Sequence, residues 1–276
     1  MAATTADHSN RSTAVPSRNA ITHEETRGLM GNLEGKVAIV TGSSRGIGAA
    51  IARRLAADGA AVVVNYVASA DKAHAVVEGI QQAGGTATAI QADMGDWSQA
   101  QALVQKAAAE FGRLDILVNN AVQEVGREPI EDLTEEFTYK QFAVIVIGPI
   151  AAMQAAAPLL PEGGRIINIS SCVTVHPVPW STVYSGTKAG LEGATRSLAA
   201  ELGPRNITVN SIGVGFTKTD LIGTNTKEQD DALIARTPLG RIGEPEDIAD
   251  AVSLLASPDA RWITGQLVLA SGGIVP

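Results

Sequence analysis

Short, mainly apolar runs alternate along this chain with longer stretches in which apolar positions recur every three or four residues. The runs at 36–40, 61–66, 86–91, 114–118, 165–170, 206–211 and 266–270 have strand length, and apolar residues on successive positions mark strands covered on both faces. The stretches between them carry helical periodicity; the first, AAIARRLAADGA, closes at Gly59. Strand following helix in this way predicts a single α/β domain, a doubly wound parallel sheet of about seven strands with helices on both faces. Gly163-Gly164 predicts a turn into the strand that opens at Arg165, and Pro204 predicts the end of the helix before ITVNSI.

Residues 1–32, MAATTADHSNRSTAVPSRNAITHEETRGLMGN, break the pattern. They are rich in Ser, Thr and Asn and contain no apolar h-region of a secretory signal. They read as a loosely attached extension without a catalytic part, leaving 33–276 as the domain. Asp7, Glu24 and Glu25 oppose an organelle-targeting role, and wrapping a neighbouring subunit stays open. A chain of 276 residues that is 45% hydrophobic with 28 glycines suits one large core and tight turns. The formal net charge of −8 argues against a nucleic-acid partner, which needs a basic surface. One cysteine, Cys172, excludes an intrachain disulfide framework. No run has the length of a membrane span and no cluster has metal-ligand spacing. The expectation is a soluble, cytoplasmic protein with no metal, acting on a small molecule.

The chemistry begins after the first strand. Thr41-Gly-Ser-Ser-Arg-Gly-Ile-Gly48 joins that strand to a helix, an arrangement that cradles phosphate, because glycines admit close approach while the helix N-terminus offers free N–H groups and a positive dipole end. A second strand, Ala61–Tyr66, follows one crossover later, as a βαβ unit requires. It ends in Asn65-Tyr66 rather than in a carboxylate that would take a ribose 2′-hydroxyl, and the turn carries Arg45. Both features favour NADP(H) over NAD(H), with Arg45 facing the 2′-phosphate.

Tyr184 and Lys188 stand four apart and share one helix face, within reach of a hydroxyl from the preceding strand. A neighbouring ammonium favours phenolate, so the expectation is a tyrosine drawn from its free pKa near 10 toward neutrality, where general acid–base catalysis works well.

These motifs, TGSSRGIG at 41–48, Asp93 in QADM, LVNNA at 117–121, NISS at 168–171, YSGTK at 184–188 and a late TGQLVLASGG, resemble the short-chain dehydrogenase/reductase family. The likeness runs from about Leu33 to Gly273 and is nearest to the 3-oxoacyl-carrier-protein reductase type and related ketone reductases. It implies a Rossmann-type fold with Ser171, thirteen residues before Tyr184, holding the substrate oxygen, Tyr184 exchanging the hydroxyl proton, and Lys188 binding the nicotinamide ribose. It also implies cofactor contacts from Gly42, Ser44, Arg45, Ile47 and Gly48 at the phosphates, Asn65 and Tyr66 at the second strand, and Asp93 and Met94 at the adenine. Asn119 and Ala121 would lie at the ribose, and Thr217 and Thr219 at the nicotinamide amide and phosphates. Each polar member also has a plainer reading, as a turn cap, a strand-end anchor or a loop residue.

Departures from the family pattern matter too. Counting back from Gly148 puts Ile145 where a relay asparagine is usual, and an isoleucine positions no water. NNAG becomes NNAV at Val122, Pro-Gly becomes Val214-Gly215, and Asp-Gly-Gly becomes Ser271-Gly272-Gly273. Val122 would narrow the floor of the expected substrate pocket or shift its loop, and Val173, His176, Trp180 and Phe216 would wall the pocket. The aromatic faces favour a bulky or ring-bearing carbonyl compound. His176 reads as pocket wall or as a second acid/base; Cys172 reads as a small buried side chain or a reactive thiol. The segment from Phe216 through Arg236 would cover the site, and its lack of a Lys/Arg cluster disfavours an acidic carrier-protein partner. The runs after Glu135 and after Tyr184 match the helices through which the family commonly pairs, so the resemblance implies a homodimer or homotetramer, and the face of AVIVIGPIAAMQAAA is too apolar to be left in water. The expected activity is NADPH-dependent carbonyl reduction. A non-redox cyclase, isomerase or binding role is the alternative, motivated by Ile145, Val122 and Val214.

Overall fold

The computed structural model describes residues 33–123, 127–219 and 225–274; the extension expected over 1–32 lies outside the described residues. The seven apolar runs become β1 Val37–Val40, β2 Ala61–Tyr66, β3 Thr86–Gln91, β4 Ile116–Asn119, β5 Arg165–Ser171, β6 Thr208–Val214 and β7 Leu267–Ala270. All neighbours pair in parallel, in the order β3-β2-β1-β4-β5-β6-β7. Strand β6 runs past the apolar pattern because Ile212, Gly213 and Val214 stay in register with Val268, Leu269 and Ala270.

The helical stretches become α1 Gly46–Ala57, α2 Ala70–Gln82, α3 Trp97–Phe111, α4 Glu135–Phe142, α5 Gly148–Ala156, α6 Thr182–Leu202, α7 Lys227–Ala235 and α8 Pro245–Ala256. Local chemistry sets their ends. The Asp96 carboxylate accepts from Gln99 N at the start of α3, which stops at left-handed Gly112. Gly163 turns with φ 77° ahead of β5, and the Gly203–Arg205 turn containing Pro204 ends α6.

Successive strand residues point to opposite faces and build two cores. Ala38, Val40, Val62 and Val64 pack with Ile51 of α1, Val76 of α2 and Val252 of α8. Ile39, Val63 and Leu117 pack with Leu103 of α3, Ala152 of α5 and Leu191 of α6. At about 1.5–3 kcal/mol for each large aliphatic side chain removed from water, this two-sided burial is the main stabilising term.

The sheet order decides where a ligand can sit. From β1 the chain moves outward to β2 and β3, then returns to β4 on the other side of β1, so the connections after β1 and β4 diverge and leave a crevice at the strands' carboxyl ends. Thr41 ties the ends of β1 and β4 together beneath it. Its N–H donates to Val118 O, and its Oγ1 accepts from the N–H groups of Asn120 (2.9 Å) and Ala121 (3.0 Å).

Candidate active site

The turn after β1 is packed too closely for side chains. Gly42 has φ 62°, and a Cβ there would lie 2.8 Å from Ala121 Cα; a Cβ on Gly48 would lie 2.5 Å from Gly42 O and 2.6 Å from Asn120 Nδ2. Asn120 Nδ2 donates to Thr41 O and Gly42 O at 2.9 and 3.1 Å, binding the turn to the end of β4. The helix that follows opens without a cap. Arg45 at its N-cap provides no side-chain hydrogen bond, and no acid stands in the first turn. Gly42, Arg45, Gly46, Ile47 and Gly48 all line the crevice. An uncapped 12-residue helix end beneath a turn with no room for Cβ atoms fits a dinucleotide pyrophosphate, whose oxygens would take the free N–H groups.

Asn65 serves this turn differently from the expectation. It is completely buried; Oδ1 accepts from Gly42 N (3.0 Å), while Nδ2 donates to Ile90 O and Ala92 O. Its amide is thus spent on bracing the glycine turn against β3, which corrects its assignment as a cofactor contact.

At the other side of the crevice, β5 ends at Ser171, which caps a 3₁₀ turn, Cys172–Thr174; its Oγ accepts from Val173 N at 3.3 Å. Tyr184 lies in the first turn of α6 and hydrogen-bonds the Ser171 side chain. One turn on, Lys188 is buried, with Nζ donating to Ile169 O (2.7 Å) and standing 5.6 Å from the centre of the Tyr184 ring. Another turn on, buried Glu192 accepts from Ser170 Oγ (2.5 Å) and Thr174 Oγ1 (2.9 Å), tying both sides of Ser171 to α6.

The electrostatics overturn one expectation. Burial pushes the Tyr184 phenol up to about 12, only partly opposed by its Ser171 hydrogen bond. The same burial pulls Lys188 down to about 8, with the Glu192 carboxylate acting in the opposite direction. The ammonium therefore does not draw the phenol toward neutrality: removing the phenolate from water outweighs an ammonium held on a backbone carbonyl. At pH 7 the pair is a protonated phenol beside an ammonium, a state suited to giving a proton.

Of the remaining expected residues, Val122, Val173, His176, Phe216, Thr217 and Thr219 line the same crevice. His176 is buried, and its Nε2 is held 2.9 Å from Ile274 O, making it a wall rather than a free acid or base. Trp180 is a correction: the chain turns there with φ 64°, the ring is left 62% exposed, and it does not line the crevice. Met94 is buried in the core, and Asp93 caps its own turn through Gly95 N (2.7 Å). Asn119 anchors the strand ends through Asn168 Oδ1 (2.8 Å). Ser44, Tyr66 and Ala121 are half-buried beside the crevice without lining it. Cys172 is buried, with Sγ 3.3 Å from Gly213 O, and burial pushes its thiol up, away from a reactive thiolate. Ile145 is the buried residue of a π-helical turn, Ala143–Ile147, between α4 and α5. Of the supposed cover, 220–224 lie outside the described residues; α7 within it opens with a capping box from Thr226 and Gln229.

Sequence reasoning missed Arg127, Arg236 and Glu192. No local motif marks them, because each reaches the site through the packing of separate elements.

A family model described as enoyl-(acyl carrier protein) reductase matches residues 42–275. An uncharacterised oxidoreductase of Methylorubrum extorquens is 54% identical over 89% of this chain and 100% of its own length. A hydroxynaphthalene reductase-like protein of Metarhizium brunneum is 41% identical over 88% of this chain and 96% of its own. Among solved structures, a short-chain dehydrogenase from Burkholderia cenocepacia in complex with NADP is 44% identical, with a TM-score of 0.84 over 88% of this chain and 99% of that one.

Proposed function

This chain belongs to the short-chain dehydrogenase/reductase family, and from that membership we propose that it is an NADPH-dependent reductase of a bulky, ring-bearing ketone. The observation that carries the reading is one crevice with an uncapped helix end beneath the glycine turn and a Ser171-bonded phenol one turn from a buried amine. The NADP seen with the Burkholderia relative and the hydroxynaphthalene named for the Metarhizium relative support the cofactor and the ring-bearing substrate. Arg45, exposed at the crevice, would meet the 2′-phosphate, and Gly42, Gly46 and Ile47 the pyrophosphate. NADPH, when bound, supplies hydride.

The chain's own residues do the rest. The Ser171 hydroxyl and the Tyr184 phenol both donate hydrogen bonds to the substrate carbonyl oxygen, fixing its carbon in one orientation. Tyr184, protonated across the physiological range, gives its proton as the oxygen gains charge. Lys188 keeps positive charge beside that phenol below about pH 8. Val122, Val173 and Phe216 exclude water from the carbonyl. Residues 33–276 carry this chemistry, with 1–32 outside it. The protein assembles as a homotetramer through α4 to α6, whose Tyr139, Ile147 and Ile150 are 68%, 43% and 37% exposed.

The test is loss of NADPH absorbance with a panel of ring ketones and quinones, comparing wild type with Tyr184→Phe. A fall in kcat of about 10²-fold or more is expected. Equal, measurable rates would remove the phenol from the reaction, and no NADPH consumption by either protein would leave a non-redox use of the fold.

A further inference from the structure

Acidic residues outnumber Lys and Arg in this chain by 29 to 21, yet among the described residues the charged side chains lining the crevice, Arg45, Arg127, Lys188 and Arg236, are all cationic. Arg45 and Lys188 have roles in the reading above. Arg127 and Arg236 have none. Arg127 comes from the connection after β4 and Arg236 from the end of α7, far from the glycine turn in sequence, and both are exposed to the crevice. Among the described residues neither forms an ion pair. Other arginines of this chain are paired: Arg54 with Asp58, Arg113 with Asp115, Arg241 with Asp247. The Arg236 guanidinium lies 6.0 Å from the centre of the Phe216 ring. A cation–π contact at that distance occupies none of the guanidinium N–H groups, and a guanidinium takes a carboxylate through two parallel hydrogen bonds.

We propose that the ketone substrate also carries a carboxylate, held by Arg127 and Arg236 while Ser171 and Tyr184 hold its carbonyl. This rests on the reductase reading and deepens it. Two guanidinium groups facing one crevice favour an anion over its neutral analogue, which forgoes the charge-assisted hydrogen bonds. A carboxylate far from the reacting carbon also fixes which face of the carbonyl is presented, since two anchored points leave a rigid ring one orientation.

The test compares 4-acetylbenzoate with its methyl ester, and 6-carboxy-1-tetralone with its methyl ester, in wild type, Arg127→Gln, Arg236→Gln, the double variant and Arg236→Lys. Two readouts are taken: kcat/KM with NADPH, and the rise in Tm that each compound produces with NADP⁺ present. In wild type the acid is preferred about 10- to 100-fold over its ester, as expected for charge-assisted hydrogen bonds. Each single variant narrows that ratio, the double variant brings it near one, and Arg236→Lys keeps part of it. Equal or absent responses to acid and ester in both readouts overturn the proposal. So does a double variant that raises the KM for NADPH while preserving the acid-to-ester ratio, which would assign the arginines to the cofactor. The reductase reading fails separately: if neither compound consumes NADPH but the acid alone raises Tm through the arginines, the carboxylate site stands and the redox assignment falls.

Discussion

Lys188→Met should destroy activity and also abolish a gain in stability that the protein makes as pH rises, because it removes a buried amine. In the fold the ammonium is buried, and its pKa falls from 10.5 to about 8. Below about pH 8 both the folded and unfolded chains hold this proton, and the folded state bears the whole cost of a desolvated charge. Between about 8 and 10.5 the folded chain releases the proton first, the unfolded chain binds more protons, and stability climbs with pH. At about 1.4 kcal/mol per pKa unit, the full span corresponds to roughly 3 kcal/mol. Between pH 7 and pH 9.5 the share realised is roughly 2 kcal/mol. The variant lacks this climb. It also leaves Ile169 O without its 2.7 Å partner, at about 1–3 kcal/mol, but that loss does not change with pH. Tyr184, pushed up to about 12, weakens stability only as pH rises through the unfolded tyrosine value of 10, and it is present in both proteins. The assay is urea unfolding of wild type and Lys188→Met at pH 7 and 9.5, without cofactor and at one protein concentration, since assembly would shift the midpoint. Wild type should gain roughly 2 kcal/mol on the variant between the two pH values. Parallel stabilities across that interval would refute a buried, charge-penalised amine.

Gly48→Ala places a methyl group 2.5 Å from Gly42 O and 2.6 Å from Asn120 Nδ2; overpacking plus strained hydrogen bonds should cost about 2–4 kcal/mol and raise the KM for NADPH, so an unchanged urea midpoint with an unchanged KM would contradict the packed turn. Glu192→Gln removes the carboxylate that holds Lys188 upward. The alkaline fall in kcat, expected near pH 8 in wild type, should move to lower pH. A merely structural Glu192 would lower the rate at every pH and leave the inflection in place. Thr174→Ala, which loses one of the Glu192 hydrogen bonds but not its charge, should leave the inflection near 8.

The glycine turn and its helix were legible along the chain because their parts are local, whereas Asn65, Asp93, Met94 and Asn119, expected at the cofactor, are taken up by turn and strand-end contacts or by the core. Strand, glycine turn and helix follow one another within 36–59, so residue order alone brings Gly42 and Gly48 to the helix end. Tyr184 and Lys188 were legible for the same reason, being one helical turn apart. The substrate half was less so. Trp180 looked like a wall because it lies between Ser171 and Tyr184, but a left-handed turn leaves its ring in solvent. Asn65 looked like a cofactor contact because it ends β2, but parallel pairing with β3 surrounds its amide with backbone groups that consume it.

Periodicity and spacing by themselves determined the α/β alternation, the phosphate cradle and the Tyr–Lys pair, since each depends on neighbours within a few residues. Only the tertiary structure decided the protonation of that pair, the bracing of Ser170 and Thr174 by Glu192, and the placing of Arg127 and Arg236 on one crevice. A pKa depends on how much water the rest of the fold removes, and a shared crevice depends on which strand ends the sheet order sets side by side; neither is written in any one segment of the chain.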